Sequence, residues 1–234
     1  PDGTVARVEF YDGAALIGAP DTTAPYSVVW NATAGAHTLT AKAVDAQGLS
    51  TVSAPVAVTV VQGPEFVTIV DSNSVWKYLD NGSDQGTAWT ALGFNDSTWA
   101  AGPAPLGYGT IDTVPVTPFG TVVSFGPDST NKYITTYFRH AFNYSTTPGV
   151  TGLVVHLMRD DGAVVYINGT DVFHSNMSNA PAVINYQSLA LGAVGGAAEG
   201  TFFDSPSIPL SLLVPGPNVI AVELHQDSTN SSDI

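Results

Sequence analysis

Apolar and polar residues alternate along several short stretches of the chain, and turn-forming pairs separate these stretches. The stretch 5–11 alternates in this way, turns at Asp12-Gly13 and resumes over 14–18. Because successive side chains of a β-strand point to opposite faces, this pattern predicts a hairpin with one buried face. Further strands are predicted at 26–30, 37–44 and 53–61. Short strands separated by turns roughly every ten residues are typical of a β-sandwich.

The most regular pattern lies in residues 153–173. Apolar residues on both sides of Asp160-Asp161-Gly162 predict two strands, and Asn168-Gly169 predicts a tight turn into a third, because Asn-Gly readily adopts the positive φ angles of a type I′ turn. Since both alternating sets of residues are largely apolar, we expect these three strands in the centre of a sandwich. Other strands are predicted at 133–144, 207–213 and 218–226, and no long segment has a helical period.

The composition excludes some classes of partner. The chain has 234 residues, of which 44% are hydrophobic, and its formal net charge is -14. Nucleic acids and anionic lipids need a basic patch that neutralises phosphate, so we expect neither nucleic-acid binding nor membrane insertion. No apolar run approaches membrane-spanning length. Cations and neutral ligands remain compatible with this acidic surface.

Cysteine is absent, which excludes disulfides, thiol nucleophiles and thiolate metal sites. Secreted eukaryotic domains commonly carry disulfides, so this acidic chain is more typical of a secreted or cell-surface bacterial protein. The chain begins at Pro1 without an initiator methionine or a signal peptide. We therefore expect a segment of a longer precursor or a processed product.

The motifs that mark the N-terminal strands are Gly3-Thr4-Val5, Glu9-Phe10-Tyr11-Asp12-Gly13, Ala34-Gly35-Ala36-His37-Thr38-Leu39 and Asp45-Ala46-Gln47-Gly48. They resemble the motifs of bacterial Ig-like modules in secreted multidomain enzymes and surface proteins, and the resemblance covers residues 1–61. It implies an Ig-like β-sandwich that acts as a spacer domain. Such modules usually have two further strands before the first motif, so we expect a partial sandwich with an unpaired edge.

A second set of motifs follows a short linker at 62–65: Trp76-Lys77-Tyr78, Leu106-Gly107-Tyr108-Gly109, Arg159-Asp160-Asp161-Gly162 and Asn218-Val219-Ile220-Ala221. This set resembles the galactose-binding-like jelly-roll modules of bacterial extracellular proteins, and the resemblance covers residues 66–234. It implies a jelly-roll β-sandwich, a fold that hosts sugar binding as well as packing between domains, and so it identifies no ligand by itself. The predicted fold class is all-β, with a partial Ig-like β-sandwich followed by a jelly-roll β-sandwich.

Three aromatic residues are candidates for carbohydrate binding. Trp89 lies among threonines, Tyr108 lies between two glycines, and Tyr186 lies between two amide side chains. An exposed flat ring stacks on the C–H face of a pyranose, and neighbouring Asn, Gln and Asp side chains bind the sugar hydroxyls. The alternative for each ring is packing in the core.

A polar cluster is predicted at one end of the second sandwich, from Asp160, Asp161, His225, Gln226 and Asp233. Adjacent residues of a strand face opposite ways, so Asp160 and Asp161 are unsuited to flank one scissile bond. We expect them to cap a turn by accepting bonds from backbone N–H groups, with a cation or a sugar hydroxyl as the alternative. The other three residues line a pocket or hold the C-terminal loop.

Residues 80–86 have oxygen donors at alternate positions and glycines that permit a tight loop. A calcium-binding loop is built in this way, although the bidentate glutamate of an EF-hand is missing. Asp80 and Asp84 are therefore the predicted ligands of a structural calcium ion, and a surface turn with Asx hydrogen bonds is the alternative. No other cofactor is expected.

The sequence contains no Gly-x-Ser-x-Gly elbow, no Walker A loop and no dinucleotide-binding fingerprint. We therefore predict a non-catalytic segment of a larger protein, such as a polysaccharide-active enzyme. It would bind a polysaccharide or glycan and pack with other domains of the same polypeptide, while the Ig-like domain sets the distance. The alternative is a structural stalk, adhesin or filament subunit, whose incomplete Ig-like sandwich accepts a strand from another copy by homotypic strand exchange.

Overall fold

The computed structural model describes residues 4–63, 66–111, 118–179 and 183–234. The chain divides into two compact units, Pro1–Val67 and Thr68–Ile234. Both units consist of β-strands, with short 3-10 helices in the second, which confirms the predicted all-β fold class. Of the predicted linker, residues 64 and 65 lie outside the described residues. Within the described ranges, no helix is long and apolar enough to cross a membrane.

The described part of the first unit forms one antiparallel sheet of five strands. The strands span Val5–Asp12 (β1), Ala15–Asp21 (β2), Gly35–Asp45 (β3), Ser50–Val52 (β4) and Val56–Val60 (β5). β1 and β2 form the predicted hairpin, and β3 pairs with β1 on its other side. β4 and β5 both pair with β3, so β3 connects the whole sheet.

One strand prediction in this unit is wrong, and another is too long. Residues 26–30 form no strand, and the Asp21 carboxylate holds this segment to the end of β2 by accepting a hydrogen bond from the backbone N–H of Ser27 (2.8 Å). The strand predicted at 53–61 is confirmed over Val56–Val60 as β5. It begins late because Pro55, just before it, has no N–H for a ladder hydrogen bond.

The two faces of this sheet differ in polarity. On one face the Glu9 carboxylate accepts hydrogen bonds from Arg7 Nε (2.8 Å) and from the Tyr11 hydroxyl (2.7 Å), and Lys42 Nζ lies 3.4 Å from it. On the other face an open hollow of about 490 Å³ is lined mainly by apolar side chains, which include Phe10, Ile17, Val28, Trp30 and Leu39. Among the described residues of this unit, the apolar face therefore carries an open hollow.

His37 joins the start of β3 to the end of β1 and to the preceding loop. Nδ1 lies 2.6 Å from Asp12 Oδ2, and Nε2 lies 2.7 Å from the Thr33 carbonyl oxygen. Since both partners are acceptors, the ring makes both bonds only as the doubly protonated imidazolium. The bond to the Thr33 carbonyl, and then the bond to Asp12, raise the pKa of His37 above its ordinary value.

We expect the first unit to lose stability as the pH rises through the pKa of folded His37. Because this pKa is raised on folding, the bound proton stabilises the folded state fully below the unfolded pKa of about 6.5, and this stabilisation is lost above the folded value. An NMR titration of the His37 ring protons measures the pKa, and thermal unfolding from about pH 6 to about pH 9 measures the stability. His37→Gln should flatten the pH dependence, and an unchanged dependence would contradict this role.

The second unit is built around an antiparallel sheet of six strands, in the order β13-β12-β15-β10-β6-β7. The strands of the unit span Val75–Leu79 (β6), Ala100–Pro103 (β7), Leu106–Gly107 (β8), Thr121–Val122 (β9), Thr135–Tyr144 (β10), His156–Met158 (β11), Gly162–Ile167 (β12), Thr170–Ser175 (β13), Phe202–Asp204 (β14) and Gly216–His225 (β15). β11 and β14 pair in a second layer, and β8 and β9 form a short parallel pair. Short 3-10 helices lie at Ala88–Thr90, Gly196–Ala198 and Leu210–Leu212.

Apolar side chains cover both faces of the six-stranded sheet. The inner face packs against the second layer, and the buried residues there include Phe138, Val155, Val165, Ile208 and Val222. The outer face is covered by the segment around the 3-10 helix Ala88–Thr90, and the buried residues there are Trp89, Trp99, Tyr137 and Ala221. On β12, the adjacent residues Val164 and Val165 are both fully buried. The prediction that both faces of this strand are covered is therefore confirmed, although β13, the other strand of the hairpin, lies at the edge of the sheet.

The prediction for residues 153–173 is otherwise confirmed only in part. Asn168 and Gly169 have φ angles of 50° and 88° and join β12 to β13 as a hairpin. β11, however, pairs with β14 rather than with β12. The segment between β11 and β12 passes from one layer to the other, and the buried Arg159 guanidinium ties it to β13 by donating a hydrogen bond to the Ser175 hydroxyl (2.8 Å).

The strand predicted at 207–213 is wrong except at one residue. Ile208 forms a bridge with Leu153, but Pro209 has no N–H to continue the ladder. Residues 210–212 form a 3-10 helix instead. The strands predicted at 133–144 and 218–226 are confirmed as β10 and β15.

Candidate functional site

Trp89 is buried against the outer face of the six-stranded sheet and is only 1% exposed. Its ring lies 6.2 Å from that of Trp99, 4.9 Å from that of Tyr137 and 5.7 Å from that of Tyr166, between centroids. Its carbonyl accepts a hydrogen bond from the Arg139 guanidinium. The expected exposure is therefore wrong for Trp89, and a covered ring has no face on which a sugar can stack.

Tyr108 is also buried, so the exposure predicted for its ring is wrong. Its hydroxyl accepts a hydrogen bond from Gln226 Nε2 (2.5 Å), and its carbonyl accepts one from the backbone N–H of Ile234 (3.1 Å). Burial, and then the charge of Asp233, raise the pKa of the Tyr108 hydroxyl far above its ordinary value. Tyr186 is half-buried against the outer cluster, and its role in carbohydrate binding stays a prediction.

The predicted polar cluster forms in part, and it includes one residue that the sequence analysis missed. Asp160, Glu199 and Asp233 are buried, and each places a carboxylate oxygen within 4.8 Å of those of the other two. Glu199 was missed because no motif or spacing marks it. Its one signal is that it is the sole acidic residue between Asp171 and Asp204, in a largely apolar and glycine-rich stretch.

Three distant parts of the chain supply these carboxylates. Asp160 lies between β11 and β12, Glu199 directly follows the 3-10 helix Gly196–Ala198, and Asp233 lies in the C-terminal segment. The backbone N–H of Gly196 donates a hydrogen bond to Glu199 Oε1 (3.0 Å), which ties this side chain to its own turn. The Lys132 ammonium donates to a carbonyl of the C-terminal segment, at Ser231, and so holds that segment against the sandwich.

Asp161 has a different role from its neighbour. Its side chain is fully buried, Oδ1 accepts a hydrogen bond from the backbone N–H of Val194 (2.6 Å), and Oδ2 accepts one from that of Asp227 (2.8 Å). The carboxylate therefore joins two loops to the start of β12. These bonds agree with the prediction that Asp161 accepts backbone N–H groups at a turn.

Asp160 lacks such compensation, because its Oδ1 is buried and has no hydrogen-bond partner among the described residues. Burial raises the pKa of this carboxyl, and its contact with Asp161 and the charges of Asp233 and Glu199 raise it further, to about 9. Chemically, the three carboxyl groups can share a metal ion, which would replace the mutual repulsion by attraction.

His225 and Gln226 are adjacent, and their side chains point to opposite faces of the sheet. His225 Nδ1 lies 2.8 Å from the Ser188 carbonyl oxygen and 2.9 Å from Thr135 Oγ1, on the outer side. Gln226 lies on the inner side, where Nε2 donates to the Tyr108 hydroxyl and Oε1 is buried without a hydrogen-bond partner. The structure thus separates His225 from the carboxylates with which it was predicted to cluster.

Asp80 and Asp84, the predicted calcium ligands, each accept a hydrogen bond from the backbone. Asp80 Oδ2 accepts a hydrogen bond from the backbone N–H of Ser124 (2.6 Å), and Asp84 Oδ1 accepts one from that of Gly86 (2.8 Å). Among the described residues, neither belongs to a group of three or more carboxylates or imidazoles within ligand distance. This geometry favours the alternative of a turn with Asx hydrogen bonds, and calcium at this loop stays a prediction.

An exposed pair of rings, which the sequence did not indicate, lies on the β11–β14 pair. The rings of His156 and Phe202 stack with centroids 4.3 Å apart and an angle of 5° between their planes. His156 Nδ1 also forms a hydrogen bond with the Asp204 carboxylate, and all three residues are exposed. They meet because β11 pairs with β14, a pairing that no local pattern predicts.

A family model of the bacterial Ig domain matches residues 1–41. The resemblance of the N-terminal strands to bacterial Ig-like modules is thereby confirmed. The unit Pro1–Val67 is accordingly called the Ig unit. Bacterial Ig domains are typical of extracellular proteins. No curated protein matches the chain in sequence.

Solved structures similar to the chain include three glycosidases. β-Glucuronidase 2 of Bacteroides uniformis, covalently bound to cyclophellitol-6-carboxylate aziridine, is 19% identical, with 65% of this chain and 14% of that chain covered and a TM-score of 0.39. The α-L-rhamnosidase of Streptomyces avermitilis complexed with L-rhamnose is 13% identical, with 96% and 19% covered and a TM-score of 0.27. The α-L-rhamnosidase from Dictyoglumus thermophilum is 10% identical, with 95% and 21% covered and a TM-score of 0.24. The chain spans less than a quarter of each structure, and likenesses at these TM-scores carry no argument about function.

Trp89→Ala should lower the free energy of unfolding by about 3–5 kcal/mol, because it removes a large buried ring and leaves a cavity. Leu191→Ala, at a side chain that is 68% exposed, is the control and should change this free energy by at most about 0.5 kcal/mol. Urea denaturation of both variants measures the difference. A small effect at Trp89 would contradict its place in the outer core.

Proposed function

We propose that the chain is a non-catalytic, carbohydrate-binding accessory segment of a larger secreted bacterial protein, in which the Ig unit acts as a spacer. The match to the bacterial Ig domain supports the extracellular setting. The observation that carries the binding role is the exposed ring pair of His156 and Phe202 beside the Asp204 carboxylate. This set replaces Trp89 and Tyr108 as the place where a sugar would bind.

The ring pair has the chemistry of a sugar platform. Phe202 is 45% exposed, and an exposed flat ring attracts the C–H face of a pyranose. Stacking on His156 restricts the Phe202 ring before a ligand arrives, which lowers the entropic cost of binding. The Asp204 carboxylate is held by its bond to His156, and it retains acceptor capacity for sugar hydroxyls.

Binding suits this patch better than hydrolysis. Glycoside hydrolysis generally uses two carboxyl groups that flank the scissile bond. In the described part of the patch Asp204 supplies one exposed carboxylate, whereas the group of Asp160, Glu199 and Asp233 is buried. A weak site of this kind acts by raising the local concentration of a linked catalytic domain at its polysaccharide.

Phe202→Ala should weaken binding to an immobilised polysaccharide by up to about tenfold, because an aromatic contact contributes about 0.5–1.5 kcal/mol. A glycan array identifies the sugar, and affinity electrophoresis then compares the variants. Val75→Ala, at an exposed apolar position of β6, is the control and should bind like the parent protein. Unchanged binding in Phe202→Ala would contradict this site, and a protein that binds no glycan on the array would contradict the function.

A second function is favoured by a different observation, the open apolar hollow of the Ig unit. A β-strand from a second copy would cover this hollow and pair with a free sheet edge, which is the mode of β-augmentation. In this alternative the chain is a structural stalk, adhesin or filament subunit that assembles by homotypic strand exchange. The mass of the protein in solution separates the two functions, because the structural alternative requires ordered oligomers.

Ile17→Lys should abolish such oligomers, because it places a charge in the hollow at the edge strand β2. Leu16→Lys is the matched control, since adjacent residues of a strand face opposite sides and Leu16 is exposed. Light scattering during size-exclusion chromatography measures the mass of each protein over a range of concentrations. A parent protein that stays monomeric throughout would exclude the strand-exchange alternative.

A further inference from the structure

We propose that Asp160, Glu199 and Asp233 bind one calcium ion inside the second unit, with the Gln226 side-chain carbonyl as a fourth ligand. This site is distinct from the predicted loop of Asp80 and Asp84 and from the exposed ring pair. It stands independently of any role in carbohydrate binding.

The distances between the carboxylates fit a single shared ion. Calcium bonds its oxygen ligands at about 2.3–2.6 Å, so two ligands on opposite sides of the ion lie about 5 Å apart. The oxygens of Asp160, Glu199 and Asp233 all lie within 4.8 Å of one another. One ion can therefore contact all three without a rearrangement of the segments that carry them.

A cation favours the ionised form of buried carboxyl groups that lie this close together. The three groups are each less than a tenth exposed, so water screens their charges only weakly and ionising all three without a cation is costly. Asp160 Oδ1 has no hydrogen-bond partner among the described residues, although an unpaired buried oxygen is costly. A bound cation would satisfy this oxygen and offset the repulsion in one step.

An uncharged group beside the carboxylates gives independent support. Gln226 is 1% exposed, and its Oε1 is buried without a hydrogen-bond partner. β12 and β15 are antiparallel, and Gly162 pairs with His225. The segment that carries Asp160 therefore lies beside the segment that carries Gln226. The Gln226 amide is further held by its bond to the Tyr108 hydroxyl. An amide carbonyl in this position is a common calcium ligand.

The donor set selects calcium among the common ions. All four groups offer oxygen, whereas zinc prefers nitrogen and sulfur, and the chain has no cysteine. His225, which precedes Gln226 in the sequence, faces the other side of the sheet. Magnesium demands a tighter octahedron and usually retains several waters, which a buried site does not readily hold.

The ion would join parts of the chain that are far apart in sequence. Asp160 lies at the crossing between the layers, Glu199 in the loop before β14, and Asp233 in the C-terminal segment. A ligand that binds the folded state but not the unfolded state stabilises the folded state by mass action. We therefore infer that calcium stabilises the second unit by fastening the loop and the C-terminal segment to the sandwich.

The experiment uses the whole chain, freed of metal by a chelator and then titrated with calcium chloride in a calorimeter. We expect one calcium ion per chain, and a midpoint of thermal unfolding that rises by roughly 5–10 °C when calcium exceeds its Kd a hundredfold. Magnesium and zinc chloride serve as comparisons and should bind at least about tenfold more weakly. A chain that binds no calcium, or that prefers zinc, would overturn the proposal.

Two conservative variants locate the ion. Glu199→Gln and Asp233→Asn should each weaken calcium binding more than about tenfold, since even outer-shell partners of a metal commonly contribute 10–100-fold. Asp84→Asn, in the other acidic loop, should bind like the parent chain. In the metal-free state Glu199→Gln should be at least as stable as the parent, because it relieves repulsion; this separates a lost ligand from a damaged fold. Full affinity in Glu199→Gln, or loss of binding in Asp84→Asn, would place the ion elsewhere and overturn this site.

Discussion

The second unit depends on the pairing of β10 with β15, in which each of the ten residues of β10 has a partner on β15. A strand sends alternate side chains to opposite faces, so this single ladder sets what lies on each side of the sheet. Phe138 and Val222 point toward the second layer, whereas Tyr137 and Ala221 point toward Trp89. Two further parts of the chain cover the two faces of the sheet. Their packing places the residues of each candidate site next to one another.

The same alternation divides the polar residues at the end of β15. His225 faces outward, where the Ser188 carbonyl and Thr135 meet its ring, and Gln226 faces inward toward Tyr108. A difference of one position therefore places His225 beside Glu223 on the outer side and Gln226 beside Tyr108 on the inner side.

Buried polar groups in this unit are of two kinds. Asn218 is fully buried, yet its amide donates to the Val214 and Gly216 carbonyls and accepts from the Asn168 amide, and Asp161 is similarly satisfied by backbone N–H groups. Such networks stabilise loops and have no capacity left for a ligand. Asp160 differs, since one of its oxygens is buried without a partner among the described residues. This contrast between adjacent carboxylates distinguishes a structural group from a candidate ligand.

The sequence by itself determined the local elements: the β1–β2 hairpin, the Asn168-Gly169 turn and the strands β10 and β15. Alternation and turn chemistry act over neighbouring residues, so they can be read without a structure. Only the tertiary structure decided that β11 pairs with β14, that Trp89 is covered, and that Glu199 joins Asp160 and Asp233. Periodicity indicates which side chains share a face, but it does not indicate which distant segment packs on that face. The contents of both candidate sites follow from that packing, and for this reason the tertiary structure alone revealed them.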